Sequence, residues 1–543
     1  MGRTPWRILT LAAAVLALTA AAVVAVAQRS DDSRGASGPA ASGPGRATAG
    51  PSPSPSLSPE PADLPDGPSG EPATVPAVRS FEAAEGPGWA PGGSARVVAD
   101  GDGPLDDEAD RLAEELDAGR ADEGARAGDV ELVLDEDADT GREGYRLHVE
   151  DHRVTITGSA EAGVFYGTRT VTQAVNARGG LPEGTVNDRP DRPQRGLLLD
   201  IARKPFPASW IEDRLREMAG LRLNQLQLHL SDDQGFRVES ESHPEVVSED
   251  HLTKEEVRRI VELAESLHIT VIPEFDSPGH LGAVLEAHPE LRLRRADGGV
   301  AEGAIDIGDP AAGELIDELL REYDDLFPSR YWHLGGDEYV AALSRDPEGT
   351  YPELAEAARE RYGEGATVRD LATAWLNDRA ETVREMDRVP QVWNDGMHAG
   401  GEVRPDRERQ VTYWTGREIG AREPVEYLEG GWQVLNLNSE YLYYVLGEPN
   451  EFTYPTGERI YEEWTPDVLR GSRAVPEEFR GADHIPGGRL AVWCDLADAQ
   501  TTEQVAEGIR LPLAALAQKL WDPGRPRLSW AEFTELTGEV SRR

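Results

Sequence analysis

Two adjacent acids, Asp337 and Glu338, directly follow the glycine pair Gly335-Gly336 at the end of an apolar run. Glycine allows a backbone with positive φ and leaves space beside its neighbours, so we expect another group to dock against these acids. Two carboxylates this close do not both ionise freely, and we expect the pKa of one of them to rise. Acid catalysis near neutral pH requires a carboxyl group with a raised pKa. The pair is therefore our candidate catalytic centre.

Polar and aromatic side chains also follow the other apolar runs in the C-terminal part of the chain. A flat aromatic ring packs against the C–H faces of a sugar, and carboxylates accept hydrogen bonds from its hydroxyls. This combination of residue types indicates a carbohydrate site. The residues that supply it are Asp200, Asp232, His280, Trp393, Asn394, Asp395, Trp414, Tyr441, Trp493 and Asp495.

Short apolar runs alternate with amphipathic stretches over residues 188–543, which is typical of parallel strands connected by helices. Eight strand candidates favour a single (β/α)8 TIM barrel, in which the C-terminal strand ends share one face and carry the active site. The predicted strands are 196–200, 225–230, 270–275, 331–335, 390–393, 411–414, 433–436 and 489–493, and the predicted helices are 210–220, 254–267, 311–326, 368–385 and 502–520.

A small α+β domain is predicted before the barrel, over residues 79–187. The segments 130–134, 145–149 and 153–157 alternate apolar and polar residues as strands do, and 160–177 has the apolar spacing of a helix. The predicted fold class is therefore α/β, a (β/α)8 TIM barrel preceded by a small α+β domain.

The N-terminal segment 1–27 is predicted to be a signal peptide or an N-terminal membrane anchor. Arg3 and Arg7 precede an apolar run, and small residues stand before Gln28 as at a cleavage site. We expect a protein that is secreted, or anchored to the outer face of the cell membrane. Residues 28–78 are rich in Pro, Ser, Gly and Ala, and we expect them to form a disordered linker.

The charge balance excludes several classes of partner. The 543 residues include 100 Asp and Glu against 55 Lys and Arg, a formal net charge of −45. This charge argues against binding to nucleic acid or to an anionic membrane surface, so we expect membrane contact only through the N-terminal segment. The single cysteine, Cys494, excludes an intramolecular disulfide.

These motifs together resemble those of the family 20 glycoside hydrolases, the β-N-acetylhexosaminidases and their relatives. The resemblance covers the small domain from about residue 79 and the barrel from residue 195 to about 521. It implies an exo-acting, retaining enzyme that releases terminal GlcNAc or GalNAc from oligosaccharides or glycoconjugates and needs no cofactor or metal. Glu338 would be the general acid/base. Asp337 would stay charged and orient the substrate's 2-acetamido group, whose carbonyl oxygen is the nucleophile.

The resemblance implies roles for three further residues in catalysis. His280 would lie near the general acid and tune its pKa, with Asp232 fixing the tautomer of the imidazole. The hydroxyl of Tyr441 would bond the acetamido oxygen.

The resemblance also implies a set of residues that bind the sugar. Arg195 would bond the 3- and 4-hydroxyls of the terminal residue. Trp393, Trp414 and Trp493 would line the pocket around the acetamido group and the ring. Asp495 would stand at the position that commonly holds the 4- and 6-hydroxyls.

Two positions depart from the family pattern. Tyr443 stands where an Asp or Asn usually follows the tyrosine, and Asp495 replaces a Glu, so its carboxylate is one methylene shorter. A retracted acid would leave room for a second sugar on the terminal residue. The alternative function is therefore that of a lacto-N-biosidase, which releases Galβ1-3GlcNAc.

Two rival classes are consistent with part of the pattern. The set His229, Asp232, His280, His333 and Asp395 would suit a metal-dependent hydrolase, but the chain lacks the His-x-His motif that such barrels generally carry. A noncatalytic carbohydrate-binding protein would keep the pocket and lose an acid or the tyrosine, whereas all of these are present.

Overall fold

The computed structural model describes residues 64–101, 103–417, 421–447 and 455–542. Its N-terminal part forms a mixed sheet of parallel and antiparallel strands. The sheet has seven strands in the order β1-β7-β5-β6-β4-β2-β3. It confirms the predicted α+β domain, including its three predicted strands and its helix. The strands are β1 Phe81–Ala83, β2 Arg96–Val98, β3 Gly119–Ala121, β4 Val130–Leu134, β5 Tyr145–Glu150, β6 Arg153–Gly158 and β7 Gly184–Asp188, with helices α1 Asp106–Leu116 and α2 Glu161–Arg178.

The folded part begins before the predicted end of the linker. Val75 and Val78 are buried, and the backbone N–H of Val75 donates to Gln173 Oε1 at 2.8 Å. The prediction of a linker up to residue 78 is thus wrong for 64–78, because these two apolar residues pack against the small domain. The predicted export segment and the rest of the predicted linker lie outside the described residues.

Eight parallel strands form the closed barrel that the sequence predicts. They follow one another around the ring, and the pairing of Asn436 with Gly488 closes it. One further strand, β17, lies parallel to β18 beside the ring. The strands are β8 Gln194–Asp200, β9 Gln225–Ser231, β10 Thr270–Phe275, β13 Tyr331–His333, β14 Val389–Trp393, β15 Gln410–Tyr413, β16 Gln433–Asn436 and β18 Gly487–Trp493, with β17 at Tyr443–Val445 and a hairpin of β11 Arg292–Arg294 and β12 Val300–Ile305.

Helices surround this ring, and the five predicted ones are all present. Three of them begin with a capping box, in which a threonine caps the helix and an acid or amide three residues later bonds back to the threonine N–H. The capping residues are Thr253 of α4, Thr367 of α10 and Thr501 of α13. The helices are α3 Ala208–Gly220, α4 Lys254–Glu265, α5 Gly282–Ala287, α6 Pro310–Glu322, α7 Val340–Leu343, α8 Pro347–Thr350, α9 Pro352–Tyr362, α10 Val368–Glu385, α11 Pro424–Glu429, α12 Gly457–Glu463, α13 Thr502–Trp521 and α14 Trp530–Val540.

The barrel strands are buried along their length. Every residue of β8, β9 and β18 is buried, as expected where a parallel sheet is covered on both faces. Among the described residues, no helix is both long enough and apolar enough to cross a bilayer. The C-terminal ends of the barrel strands form one rim, where the active site of such a barrel lies.

Candidate active site

The glycine pair allows a close approach between the ends of two strands. Gly335 and Gly336 have φ values of 65° and 99°, as expected for a turn that glycine makes possible. A Cβ on Gly335 would stand 1.7 Å from Asp276 Oδ1, and that same oxygen accepts a hydrogen bond of 2.8 Å from Gly336 N–H. The space beside Gly335 thus holds Asp276, which follows β10.

Asp276 and Asp337 are neighbouring carboxyl groups, with oxygen atoms within 4.8 Å of each other. Burial, and then the neighbouring Asp337, raise the pKa of Asp276 well above its usual value, and burial also raises the pKa of Asp337. Asp337 Oδ1 is buried and finds no donor among the described residues. Because two carboxylates this close do not both ionise freely, we infer that Asp276 keeps its proton and donates a hydrogen bond to Asp337. We missed this role of Asp276 in the sequence, although its place directly after a strand was a usable signal.

Glu338 differs from its neighbour in exposure and charge. Its side chain is 52 % exposed, whereas that of Asp337 is 14 % exposed. The hydrogen bond with His280 lowers the pKa of Glu338, and burial opposes this only in part. We expected Asp337 to stay charged beside a protonated Glu338. In the unliganded protein the raised pKa belongs instead to Asp337, because Asp337 is the more buried acid.

His280 connects Asp232 to both members of the acid pair. Its Nδ1 lies 3.4 Å from Asp232 Oδ1, and its Nε2 lies 3.5 Å from Glu338 Oε2 and 3.7 Å from Asp337 Oδ2. Burial opposes the charged imidazole, but these carboxylates raise the pKa of His280 well above its usual value. The structure brings His280 and Asp232 together as the resemblance implies, while their roles in catalysis remain predictions.

Arg195 lies away from the rim, so its expected role in binding sugar is wrong. It stands near the N-terminal end of β8, is fully buried, and donates to Glu143 at 3.1 and 3.0 Å. The strand runs away from Arg195 toward the rim, and the arginine that reaches the rim is Arg203. Its guanidinium bonds Asp200 at 3.0 Å and Asp232 at 2.7 Å.

Aromatic side chains form a wall beside the acids. Trp393 and Trp493 have ring centroids 5.9 Å apart, and the Trp414 ring stacks on Tyr443 at 5.6 Å. The centroids of Tyr443 and Trp493 are 6.0 Å apart. Arg203 lies over the ring of Trp493, 5.3 Å from its centroid. The structure therefore brings the three predicted tryptophans together with Arg203.

Hydrogen bonds fix the orientation of this wall. Trp393 Nε1 donates to the buried Glu274 at 2.8 Å, and Trp414 Nε1 donates to Asp395 at 2.9 Å. Asp395 also accepts from Glu338 N–H at 3.0 Å, so one carboxylate positions both a wall residue and the backbone of the candidate acid.

Tyr441 lies outside the wall, which corrects its predicted role. It belongs to the turn before β17, and its hydroxyl donates to Glu463 at 3.3 Å. Arg459 covers its ring at 4.5 Å. Tyr443 occupies the place expected of Tyr441: burial raises the pKa of its hydroxyl well above the usual value, and the nearby Asp337 adds to the shift. The motif assigned this role to Tyr441, and the turn geometry gives it to Tyr443 instead.

Asp495 is exposed at the rim after β18. Partial burial raises its pKa, and the positive charge of Arg203 opposes this rise. Asp495 therefore lies near Arg203 at the rim, where a residue that bonds the outer hydroxyls of a sugar is expected.

His229 is buried between two carboxylates within the barrel. His229 Nε2 lies 2.9 Å from Asp232 and its Nδ1 lies 3.2 Å from Glu274. Burial opposes protonation of His229, but these carboxylates raise its pKa well above the usual value.

Known proteins are similar in sequence to most of this chain. The chain is 30 % identical over 481 residues to a lacto-N-biosidase of Bifidobacterium bifidum, covering 87 % of this chain but only 41 % of that protein. It is 28 % identical over 446 residues to a beta-hexosaminidase of Akkermansia muciniphila, covering 74 % and 84 % of the two chains. The chain therefore spans less than half of the biosidase that it matches.

Solved structures share the fold. The GH20 beta-N-acetylhexosaminidase of Streptomyces coelicolor A3(2) superposes with a TM-score of 0.69 at 22 % identity, covering 86 % of this chain and 94 % of that one. The GH20 exo beta-N-acetylglucosaminidase of Vibrio harveyi gives 0.71 at 20 % identity, covering 88 % and 78 %.

Sequence models of one family match both domains. The model of glycosyl hydrolase family 20, domain 2, matches residues 71–189, which includes part of the segment that we had assigned to the linker. The model of the family 20 catalytic domain matches residues 193–524, the whole barrel. The protein is an enzyme rather than a noncatalytic binding module. Both matches, together with the barrel and its rim of acids and tryptophans, show that the chain belongs to glycoside hydrolase family 20.

Proposed function

We propose that this enzyme is an exo-acting, retaining β-N-acetylhexosaminidase that removes terminal GlcNAc or GalNAc from glycans by substrate-assisted catalysis. The observation that carries the proposal is the difference in exposure between two adjacent acids. Glu338 is half exposed at the rim, whereas Asp337 is set back against Asp276. An exposed acid suits proton transfer to a leaving group, and a recessed one suits a group that lies deeper in the pocket.

In the first step the acetamido carbonyl oxygen attacks the anomeric carbon, and the bond from that carbon to the leaving oxygen breaks. Glu338 gives its proton to the leaving oxygen, and an oxazolinium ion forms. Asp337, which receives a hydrogen bond from the protonated Asp276, stays a carboxylate and accepts the acetamido N–H. Tyr443 stands beside Asp337 to bond the acetamido oxygen.

The proton for this step comes from the pair of His280 and Glu338. In the free enzyme His280 holds it, because the surrounding carboxylates favour the imidazolium. A sugar that covers Glu338 removes water from the carboxylate and raises its pKa, so that the proton moves to Glu338. In the second step Glu338 takes a proton from water, which opens the oxazolinium ring from the same face as the departed group.

Substitution of the two acids tests the mechanism. Glu338→Gln should lower kcat by roughly 10²–10⁴-fold on p-nitrophenyl GlcNAc, because the amide donates no proton. Asp337→Asn should also slow the reaction, and most on substrates with a 2-acetamido group. The control is Glu360→Gln on the exposed face of α9, which should keep full activity. Normal turnover by Glu338→Gln, or no inhibition of wild type by a thiazoline analogue of the intermediate, would exclude this mechanism.

A second candidate function is that of a lacto-N-biosidase. Two observations favour it: the shortened carboxylate of Asp495 at the rim, and the similarity to the Bifidobacterium protein over 87 % of this chain. A parallel assay of p-nitrophenyl GlcNAc, GalNAc and lacto-N-biose glycosides separates the two. Release only from the disaccharide would replace the first proposal. In that case Asp495→Glu should restrict the pocket and lower kcat/KM for the disaccharide.

We also infer that the enzyme acts outside the cytoplasm. Arg3 and Arg7 before the apolar run support export, and a glycan substrate fits that location. N-terminal sequencing of the protein from the medium and from the membrane fraction of a producing cell separates a cleaved signal from an anchor. Recovery only from the cytosol would reject export.

A further inference from the structure

Two histidines and a glutamate converge outside the catalytic rim. His243 lies in the loop that leads from Asp232 to α4, and Glu245 lies two residues further along the same loop. His288 directly follows α5, the short helix that begins just after His280. The two histidine side chains are 14 % and 21 % exposed, so the group is partly shielded but open to solvent.

The donor atoms have the spacing of a metal tripod. His243 Nδ1 and His288 Nε2 each lie 3.1 Å from Glu245 Oε1. In a tetrahedral zinc site with bonds of about 2.0–2.1 Å, neighbouring donors stand about 3.3 Å apart. All three donor atoms lie within 4.8 Å of one another, so an ion placed between them would bind all three and leave a fourth position for water.

The far nitrogen of each histidine faces a second carboxylate. His243 Nε2 lies 3.0 Å from Glu318 on α6, and His288 Nδ1 lies 3.4 Å from Glu290. A carboxylate on the far nitrogen holds the proton there and leaves the near nitrogen with its lone pair, as is usual for metal-bound histidine. This arrangement is independent of the donor spacing and indicates the same ligand.

The local charge also favours a cation. Within the described part of the chain, the ion pairs of Glu245, Glu290 and Glu318 involve these histidines only, with no lysine or arginine. Three carboxylates beside two imidazoles, which are neutral when they bind a metal, leave an excess of negative charge. A divalent ion would neutralise most of it.

We propose that His243, Glu245 and His288 bind a divalent transition metal of the Zn²⁺ class, which joins the loop after β9 to the segment after β10. These segments carry Asp232 and His280, respectively. The ion is a structural clip and takes no part in the reaction. Its binding stabilises the fold and fixes α5, while hydrolysis continues without it.

The test uses untagged full-length enzyme, treated with a chelator and dialysed, and Zn²⁺ as the probe. Isothermal titration calorimetry should show saturable binding of one Zn²⁺, and the melting temperature should rise with Zn²⁺. The double variant His243→Gln/His288→Gln should bind at least about 100-fold more weakly, and Glu318→Gln about 10–100-fold more weakly. Activity of each metal-free variant on p-nitrophenyl GlcNAc or lacto-N-biose should equal that of metal-free wild type, which confirms that the variants fold.

A matched control distinguishes this site from other surface acids. His148 in the small domain lies 3.6 Å from Glu150 and has no second histidine, so His148→Gln should bind Zn²⁺ as wild type does. Absence of saturable binding in wild type would overturn the proposal and leave two His–Glu ion pairs. Equal binding by wild type and the double variant would place the ion elsewhere and overturn it as well. Both outcomes are independent of which glycan the enzyme cleaves.

Discussion

The proton shared by Asp276 and Asp337 determines what Asp337 is able to do. A protonated Asp276 donates to Asp337 and keeps it a carboxylate, although burial raises the pKa of both acids. Asp276 Oδ1 accepts from Gly336 N–H, which favours a proton on the other oxygen, Oδ2. Asp276 is therefore a positioning residue for the acid that holds the acetamido group.

Substitution of Asp276 tests this arrangement. Asn keeps one acceptor for Gly336 N–H and one donor for Asp337, so Asp276→Asn should retain activity near that of wild type. Asp276→Ala removes the donor and should lower kcat/KM by about 10–100-fold, since a buried group then lacks its partner. Steady-state kinetics on the preferred p-nitrophenyl glycoside measures both. Equal losses in the two variants would contradict the shared proton.

His280 should set the alkaline limb of the pH profile. Its pKa is raised well above the usual value, despite burial, so the imidazolium keeps the catalytic proton through neutral pH and loses it as the pH rises further. In His280→Gln a carboxyl has to hold this proton and releases it at lower pH. The alkaline limb of kcat/KM should therefore move to lower pH.

This shift is measured as the pH dependence of kcat/KM from about pH 4 to about pH 9. His268→Gln is the control, because His268 bonds Glu108 far from the rim and its loss should leave the limb unchanged. If both variants keep the wild-type limb, His280 does not hold the proton.

At the scale of single residues, the sequence predicted the acid pair, His280, Asp232 and the tryptophans, because each follows an apolar run. It missed Asp276, whose partner Asp337 belongs to a different strand. A contact between two strand ends depends on how closely the backbones approach, and here Gly335 sets that distance.

At the scale of elements, the eight barrel strands could be predicted because each is a short run rich in apolar residues, and most of these runs are separated by amphipathic helices. The direction of a strand then decides which of its polar neighbours reaches the rim. Arg195 and Arg203 stand before and after β8, and only the second is on the rim side. Likewise Tyr441 lies in the turn before β17 and Tyr443 lies in the strand. Motif matching alone did not resolve either choice.

Parallel substitution of the two arginines tests this difference. Arg203 bonds Asp200 and Asp232 at once, and lysine cannot reproduce both bonds. Arg203→Lys should lower kcat/KM by about 10–100-fold while the melting temperature changes little. Arg195→Lys should do the reverse, with near-normal KM and a lower melting temperature. A loss of kcat/KM confined to Arg195→Lys would show that the assignment is wrong.

At the scale of the whole molecule, the small domain packs against the barrel through buried polar groups. Glu143 bonds Arg195 and also accepts from Asn224 at 2.9 Å. Trp521 Nε1 donates to Asp188 at 3.0 Å, and Gln173 donates to the carbonyl of Gly220 at 2.7 Å. These bonds couple the stability of the two domains.

Loss of Glu143 should destabilise the whole protein. Glu143→Ala leaves the buried charge of Arg195 without its partner, which costs about 3 kcal/mol. Urea unfolding followed by tryptophan fluorescence should show one transition at a lower midpoint. Glu136→Ala, an exposed residue of the same domain, is the control and should unfold as wild type. Two separate transitions in wild type would contradict the coupling.

The burial of Trp521 has a consequence for how such enzymes are inherited. This indole belongs to α13, yet it packs edge-on against Tyr166 of the small domain at 5.6 Å. A recombination that carried the barrel to a new gene without residues 64–189 would uncover this indole and deprive Arg195 of Glu143. The barrel is therefore not an independently transferable module, and rearranged descendants should retain both domains together.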